Sequence, residues 1–333
     1  VKLGTYVFDG QMRIGCVVGD EVADLERLYT RYLSEVEGDR RAEGLARSRI
    51  SSNMLHFIRG GEASWEAAAQ ALEHFETRRA EGDFFGEVRP LSEVRLRAPL
   101  QPDAVVCAGY GPAQAEDMDL YRHAEFFVKS GPHVIGSGDP IPHEPEVAKD
   151  LRPEVELGII IGQGGKDIPQ NEVLDHIFGF TIFTDIMAAD QLSMGMEGGA
   201  FHGRVLEGVC LEAAGALGPW IITKDEIGGG VENLLHRLWV NGELQEEYKP
   251  DELPVDPLSF VSHLSAFFTL DPGIVIASGS PGGPRLGRSD SGGSTLTVPA
   301  MKCGFLKLGD KIKTEIDSIG SLENSVDKVH EDS

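Results

Sequence analysis

The segment Pro153-Glu154-Val155-Glu156-Leu157-Gly158-Ile159-Ile160-Ile161-Gly162 carries the most specific chemical pattern in the chain. Read as a β-strand, its side chains alternate between two faces. Val155, Leu157, Ile159 and Ile161 then form one apolar face. Glu154, Glu156, Gly158 and Gly162 fall on the other, with Ile160 among them. The two carboxylates stand roughly 7 Å apart at Cα. Two anions side by side on one face repel, and a cation between them turns that repulsion into coordination. The glycines further along are expected to leave room above the sheet. The alternative reading is two solvated charges on an outer face. A second strand, residues 177–185, puts Phe178, Phe180 and Ile182 on one face. Gly179, Thr181, Phe183 and Asp185 take the other, with Asp185 at the strand end. Three carboxylates without nearby His or Cys suit a hard cation, Mg²⁺ first and Mn²⁺ or Ca²⁺ otherwise.

The elements that must position these groups are short and β-rich. Residues 1–25 read as a small antiparallel meander turning at Asp9-Gly10. Residues 27–90 carry apolar residues at helical spacing, and Trp65, Ala68, Ala69, Leu72 and Phe75 make one packing stripe. Pro99 and Pro102 mark a boundary near residue 95. Beyond it lie short strands with Gly and Pro turns, and helices near 170–176 and 257–268. The expected fold is α+β and β-rich. Its parts are a small N-terminal α/β domain (1–95), a larger catalytic domain (96–325) and a polar tail (326–333). No GxGxxG opens a helix after a strand, so a dinucleotide site is not indicated. The Gly-rich stretch after residue 278 lacks a Gly-Lys-Ser/Thr phosphate cradle.

Composition excludes several partners. The 333 residues carry a formal net charge of −24, which argues against nucleic acid and anionic membranes. No run of about 18 apolar residues exists to span a bilayer. The four cysteines form no CxxC pair, and the first residues lack the apolar core of a signal peptide. A cytoplasmic enzyme is expected.

Further motifs follow in a fixed order. Phe127-Val128-Lys129 comes first, then Glu154-Val155-Glu156 and the strand ending Thr184-Asp185. Leu217-Gly218-Pro219-Trp220 and Val240-Asn241-Gly242-Glu243-Leu244-Gln245 come next, then residues 270–283 and the closing segment from Gly304 to Asn324. Together they resemble the fumarylacetoacetate hydrolase family over about residues 97–325. That resemblance implies a mixed β-sandwich roll, a smaller N-terminal domain and a homodimer. It implies that Glu154, Glu156 and Asp185 are the metal ligands and that Ser280 lies near the substrate carboxylate. Gly279, Lys129 and Arg204 are the remaining candidates for binding substrate.

The departures concern acid–base chemistry. Ala115 falls where the family often carries histidine, Ala189 where it carries arginine and Val209 where it carries lysine. His123 and Glu125 are the candidate replacements, with a surface histidine as the alternative for His123. Arg285 and Arg288 could grip a carboxylate or simply be exposed, and Asp190 and Glu212 could support the site or be solvated. The expected activity is metal-dependent hydrolytic C–C cleavage of a small oxo or dicarbonyl acid in catabolism. A lyase or tautomerase needs only enolate chemistry and is the runner-up. A non-catalytic metal-binding member is the third reading.

Overall fold

The computed structural model describes residues 1–83, 86–110, 124–194, 208–209, 211, 213, 215–227, 230–283, 285–288 and 294–328. In chain order, β1 (Lys2–Phe8), β2 (Gln11–Val18) and β3 (Glu21–Asp24) form the expected meander. Four helices follow: α1 (Leu25–Glu35), α2 (Ala42–Arg49), α3 (Met54–Arg59) and α4 (Glu62–Ala80). Then come β4 (Val88–Pro90), β5 (Arg95–Leu96), β6 (Ala104–Tyr110), β7 (Ala124–Ser130), β8 (Pro140–Pro142) and β9 (Leu151–Ile161). Next are α5 (Val173–His176), β10 (Ile177–Ala188), α6 (Ala189–Met194), β11 (Gly215–Thr223), β12 (His236–Val240), β13 (Glu243–Tyr248) and α7 (Pro257–Ser265). The chain closes with β14 (Val275–Ala277), β15 (Arg285–Arg288), β16 (Ser294–Thr297), β17 (Lys311–Ile316) and β18 (Gly320–Asp327).

Among the described residues the large sheet runs β4-β3-β2-β1-β11-β10-β9-β14-β6-β7, with β5 beside β1. The N-terminal meander therefore extends the same sheet, through pairs such as Leu3 with Ile221. A second sheet runs β13-β12-β17-β18-β8. Strand alternation sorts β9 and β10 between two cores. Val155, Leu157, Ile159, Phe180 and Ile182 pack toward the second sheet and α7. Ile160, Phe183, Val275 and Ala277 pack toward the N-terminal helices. Burial at roughly 1.5–3 kcal/mol for each large apolar side chain holds the sheet on both faces.

Three local expectations are corrected. The buried stripe of α4 is Ser64, Ala67, Ala68, Ala71 and Phe75, with Ala69 exposed and Trp65 and Leu72 half-buried. Gly158 opens no room, because a Cβ there would lie 2.9 Å from Thr181 Cγ2 on the paired strand. Strand β18 runs to Asp327 with Val326 fully buried, so ordered structure enters the expected polar tail. No helix is long and apolar enough to cross a membrane among the described residues.

His236 lies on β12 of the second sheet. It is fully buried and stacks on Tyr248 at 4.8 Å between ring centroids. Its Nδ1 faces the Leu234 carbonyl at 2.9 Å, and Nε2 has no hydrogen-bond partner. Burial depresses its pKa to about 4. The folded state thus binds fewer protons than the unfolded chain between about pH 4 and 6.5, so stability falls as pH drops through that window. His236→Phe should flatten this acid limb by roughly 2–3 kcal/mol in the wild-type-minus-variant difference. Urea unfolding at pH 4.5 and 7 reads it, and parallel losses in both proteins would refute it.

Candidate active site

The β9–β10 register pairs Glu154 with Asp185 and Glu156 with Phe183. Glu154, Glu156 and Asp185 therefore share one face, as strand alternation requires. Their exposures are 2%, 2% and 1%, so the solvated-face reading is wrong. Asp185 does not end its strand, since β10 continues to Ala188.

Burying three carboxylates together is electrostatically unfavourable. Burial, then the Glu246 carboxylate and more weakly Asp185, push the Glu154 pKa up to about 8, against the pull of Arg152 and Ser280. Glu156 rises well above its ordinary value through burial, then Asp185 and Glu154. Asp185 is raised by burial and held back by Lys129.

The counter-charges come from either side. Lys129 is 2% exposed, pairs with Asp185 and donates to the Ile186 carbonyl at 2.8 Å. It stands on β7, four strands along the sheet from β10. A flat sheet would separate those strands by about 19 Å, so the sheet must curl and twist to close this contact. Arg152 meets Glu154 through Nε at 3.2 Å. The turn after β14 supplies neutral donors. Gly279 N–H donates to Glu156 Oε2 at 2.8 Å, and Ser280 Oγ donates to Glu154 Oε2 at 2.8 Å. The structure thus brings Glu154, Glu156, Asp185, Lys129, Gly279 and Ser280 into one patch.

Glu125 is exposed on β7, on the same face as Lys129. His123, Arg204, Ala115 and Glu212 lie outside the described residues, as do the side chains of Arg285 and Arg288 on β15. Asp190 is structural, because its carboxylate accepts from the Lys149 and Asp150 backbone N–H groups at 3.2 Å each. Ala189 and Val209 are buried with Met187, Leu192 and Val298, and Phe127 packs against them. An apolar wall thus stands where a resembling protein would carry cations. Sequence reasoning missed Arg152, Glu246 and Tyr248. Arg152 was accessible, since it shares the strand face of Glu154 two residues away.

Among the described residues, no three His, Cys, Asp or Glu side chains already stand in a metal-ligating arrangement. The donor set still fits a hard cation. It offers carboxylate oxygens, and among the described residues Asp185 Oδ1 is buried without a hydrogen bond and answered by the Lys129 charge.

Residues 104–327 match the family model described as fumarylacetoacetate (FAA) hydrolase C-terminal. The chain belongs to the fumarylacetoacetate hydrolase family. It is 29% identical to oxaloacetate tautomerase YisK of Bacillus subtilis, over 98% of this chain and all of that one. The fold resembles a fumarylacetoacetate hydrolase from Exiguobacterium antarcticum, with TM-score 0.71, 26% identity and coverage of 98% and 99%. It also resembles maleylpyruvate hydrolase from Sphingobium sp. SYK-6, solved in complex with manganese (II) ion and pyruvate, with TM-score 0.66, 24% identity and coverage of 99% and 100%.

Opposite stability effects are expected in chelator. Glu156→Gln relieves repulsion and keeps an acceptor for Gly279, so it should be neutral or stabilising by about 1–2 kcal/mol. Asp185→Asn leaves Lys129 beside a neutral amide and should cost about 3 kcal/mol. For Glu154, stability is present below about pH 4.5 and lost as pH rises through about 8, and the Glu156 pKa is raised in the same direction. Glu156→Gln should therefore lose less between pH 7 and 9. Denaturant titrations at both pH values check this, and equal losses in variant and wild type would contradict it.

Proposed function

We propose that this chain tautomerises a small 2-oxo dicarboxylic acid of the oxaloacetate type, exchanging its keto and enol forms. Glu154, Glu156 and Asp185 would hold Mg²⁺ or Mn²⁺. Two observations support a metal: the buried carboxylate patch and the manganese in a fold relative. A bound divalent cation polarises the 2-oxo group and stabilises developing enolate charge.

The observation that favours tautomerisation over hydrolysis is the apolar wall of Met187, Ala189, Leu192, Val209 and Val298. Met187 follows Asp185 on the same face of β10, so the charged patch passes directly into this wall. Hydrolysis needs a base that activates water, whereas an apolar flank keeps water away. Keto–enol exchange needs no water, only a proton moved between carbon and oxygen. The relative named oxaloacetate tautomerase, matched over its full length, points the same way. Hydrolytic C–C cleavage, the expectation drawn from the family resemblance, therefore becomes the second reading. The hydrolases among the fold relatives are its support.

The chain's own groups divide the work. Gly279 and Ser280 would receive a substrate carboxylate at the turn beside Glu154 and Glu156. Lys129 would balance the charge of Asp185. Glu125, exposed on the face that carries Lys129, would take a proton from the substrate carbon and return it.

Stopped-flow ultraviolet absorbance of enol-oxaloacetate with Mg²⁺ or Mn²⁺ should show catalysed ketonisation. Glu156→Gln should lower it about 100-fold or more. Full activity in that variant, or pyruvate and a second acid accumulating from an acylpyruvate while oxaloacetate is untouched, would reject the proposal. Calorimetry at pH 7 in buffers of different ionisation enthalpy should show proton release on Mn²⁺ binding, because ligands with raised pKa must deprotonate. Binding without proton release would count against these carboxylates as ligands.

A further inference from the structure

A fourth, half-buried carboxylate lies behind the site, on a strand of the other sheet. The β12–β13 hairpin pairs Leu238 with Glu246 and Trp239 with Leu244, leaving Gln245 as the extra residue of a bulge. Glu246 and Tyr248 consequently point the same way, toward β9. Tyr248 Oη donates to the Val155 carbonyl at 2.6 Å and lies 3.2 Å from the Gly279 carbonyl. The Glu246 carboxylate lies with Arg152 against Gly282, and burial raises its pKa against the pull of Arg152. Arg152 in turn reaches Glu154 and the Pro299 carbonyl. Gly282 N–H donates to Ser280 Oγ at 3.2 Å.

The contact at Gly282 is unusually close. A Cβ at that position would overlap both Arg152 Nη2 and Glu246 Oε1. The turn therefore rests its backbone against the ends of both side chains, and an alanine there would push them aside. Tyr248 on β13 bonds both the Glu154–Glu156 strand, at Val155, and the turn, at Gly279, while Arg152 and Glu246 meet the turn at Gly282.

We propose that Arg152 and Glu246 are a positioning pair that sets the Gly279–Gly283 turn at its working distance from Glu154 and Glu156. This rests on the reading above, in which the turn receives the substrate carboxylate. The pair itself touches neither substrate nor reacting atoms. Its effect falls on how tightly the turn binds a carboxylate, not on how the strand carboxylates hold a cation.

The test uses Gly282→Ala, Glu246→Ala and the double variant, in the full chain loaded with Mn²⁺. Gly282→Ala removes no charge and no ligand. It should raise KM for enol-oxaloacetate and the dissociation constant of oxalate about tenfold, while kcat and Mn²⁺ affinity stay within about threefold. Glu246→Ala should raise KM similarly. The double variant should be no worse than about twofold beyond the weaker-binding single, because both act on one contact. Additive losses, an unchanged KM, or a fall in Mn²⁺ affinity that matches the fall in oxalate affinity would overturn the proposal. Wild type that binds oxalate on Mn²⁺ but does not tautomerise oxaloacetate would sink the functional reading alone, since oxalate still reads the turn. Wild type that binds no Mn²⁺ would end both.

Discussion

Three carboxylates buried on one sheet face, with two cations among the described residues to answer them, are the constraint around which this structure is arranged. Isolated ionised carboxylates are expensive to bury, and like charges at close quarters add to that expense. The chain meets it with Lys129 from one side, Arg152 from the other, and the Gly279 N–H and Ser280 hydroxyl from above. The compensation is incomplete, since burial and mutual repulsion still leave all three pKa values raised. Such incomplete compensation is the mark of functional sites more often than of structural ion pairs. In the proposed reading a hard divalent cation would supply what is missing.

The fold is what makes that arrangement reachable. The long antiparallel pairing of β9 with β10 sets the three carboxylates on one face. The curl of the large sheet carries Lys129 across to Asp185. The second sheet contributes from behind, where β13 holds both the Glu154–Glu156 strand and the turn after β14. Each contribution comes from a different part of the chain, so the patch exists only in the folded state. The apolar cluster around Met187 and Val209 adjoins the patch through Met187, which shares a face of β10 with Asp185.

Much of the site was legible in the sequence because it depends on local alternation. The shared face of Glu154, Glu156 and Asp185 follows from a period of two, and the β9–β10 register agrees with it. The motif order placed Lys129, Gly279 and Ser280 at the same site. What could not be read depends on geometry beyond one strand. Gly158 looked like a gap, yet the neighbouring Thr181 fills it. Ala69 looked buried from spacing alone, but α4 is turned so that Ala67 and Ala71 face the core. Glu246 sits in an acidic run, and only the bulge at Gln245 aims it inward. The weighting of hydrolysis over tautomerisation came from the family's general description. The packing of Ala189 and Val209 into an apolar wall reverses that weighting.

The most direct test is a crystal soaked in Mn²⁺ and measured for anomalous scattering at the manganese edge. The account predicts a single strong peak bounded by Glu154, Glu156 and Asp185, with Lys129 Nζ drawn away from Asp185 Oδ1. A crystal with no peak there, and with Lys129 still paired to Asp185, would contradict it.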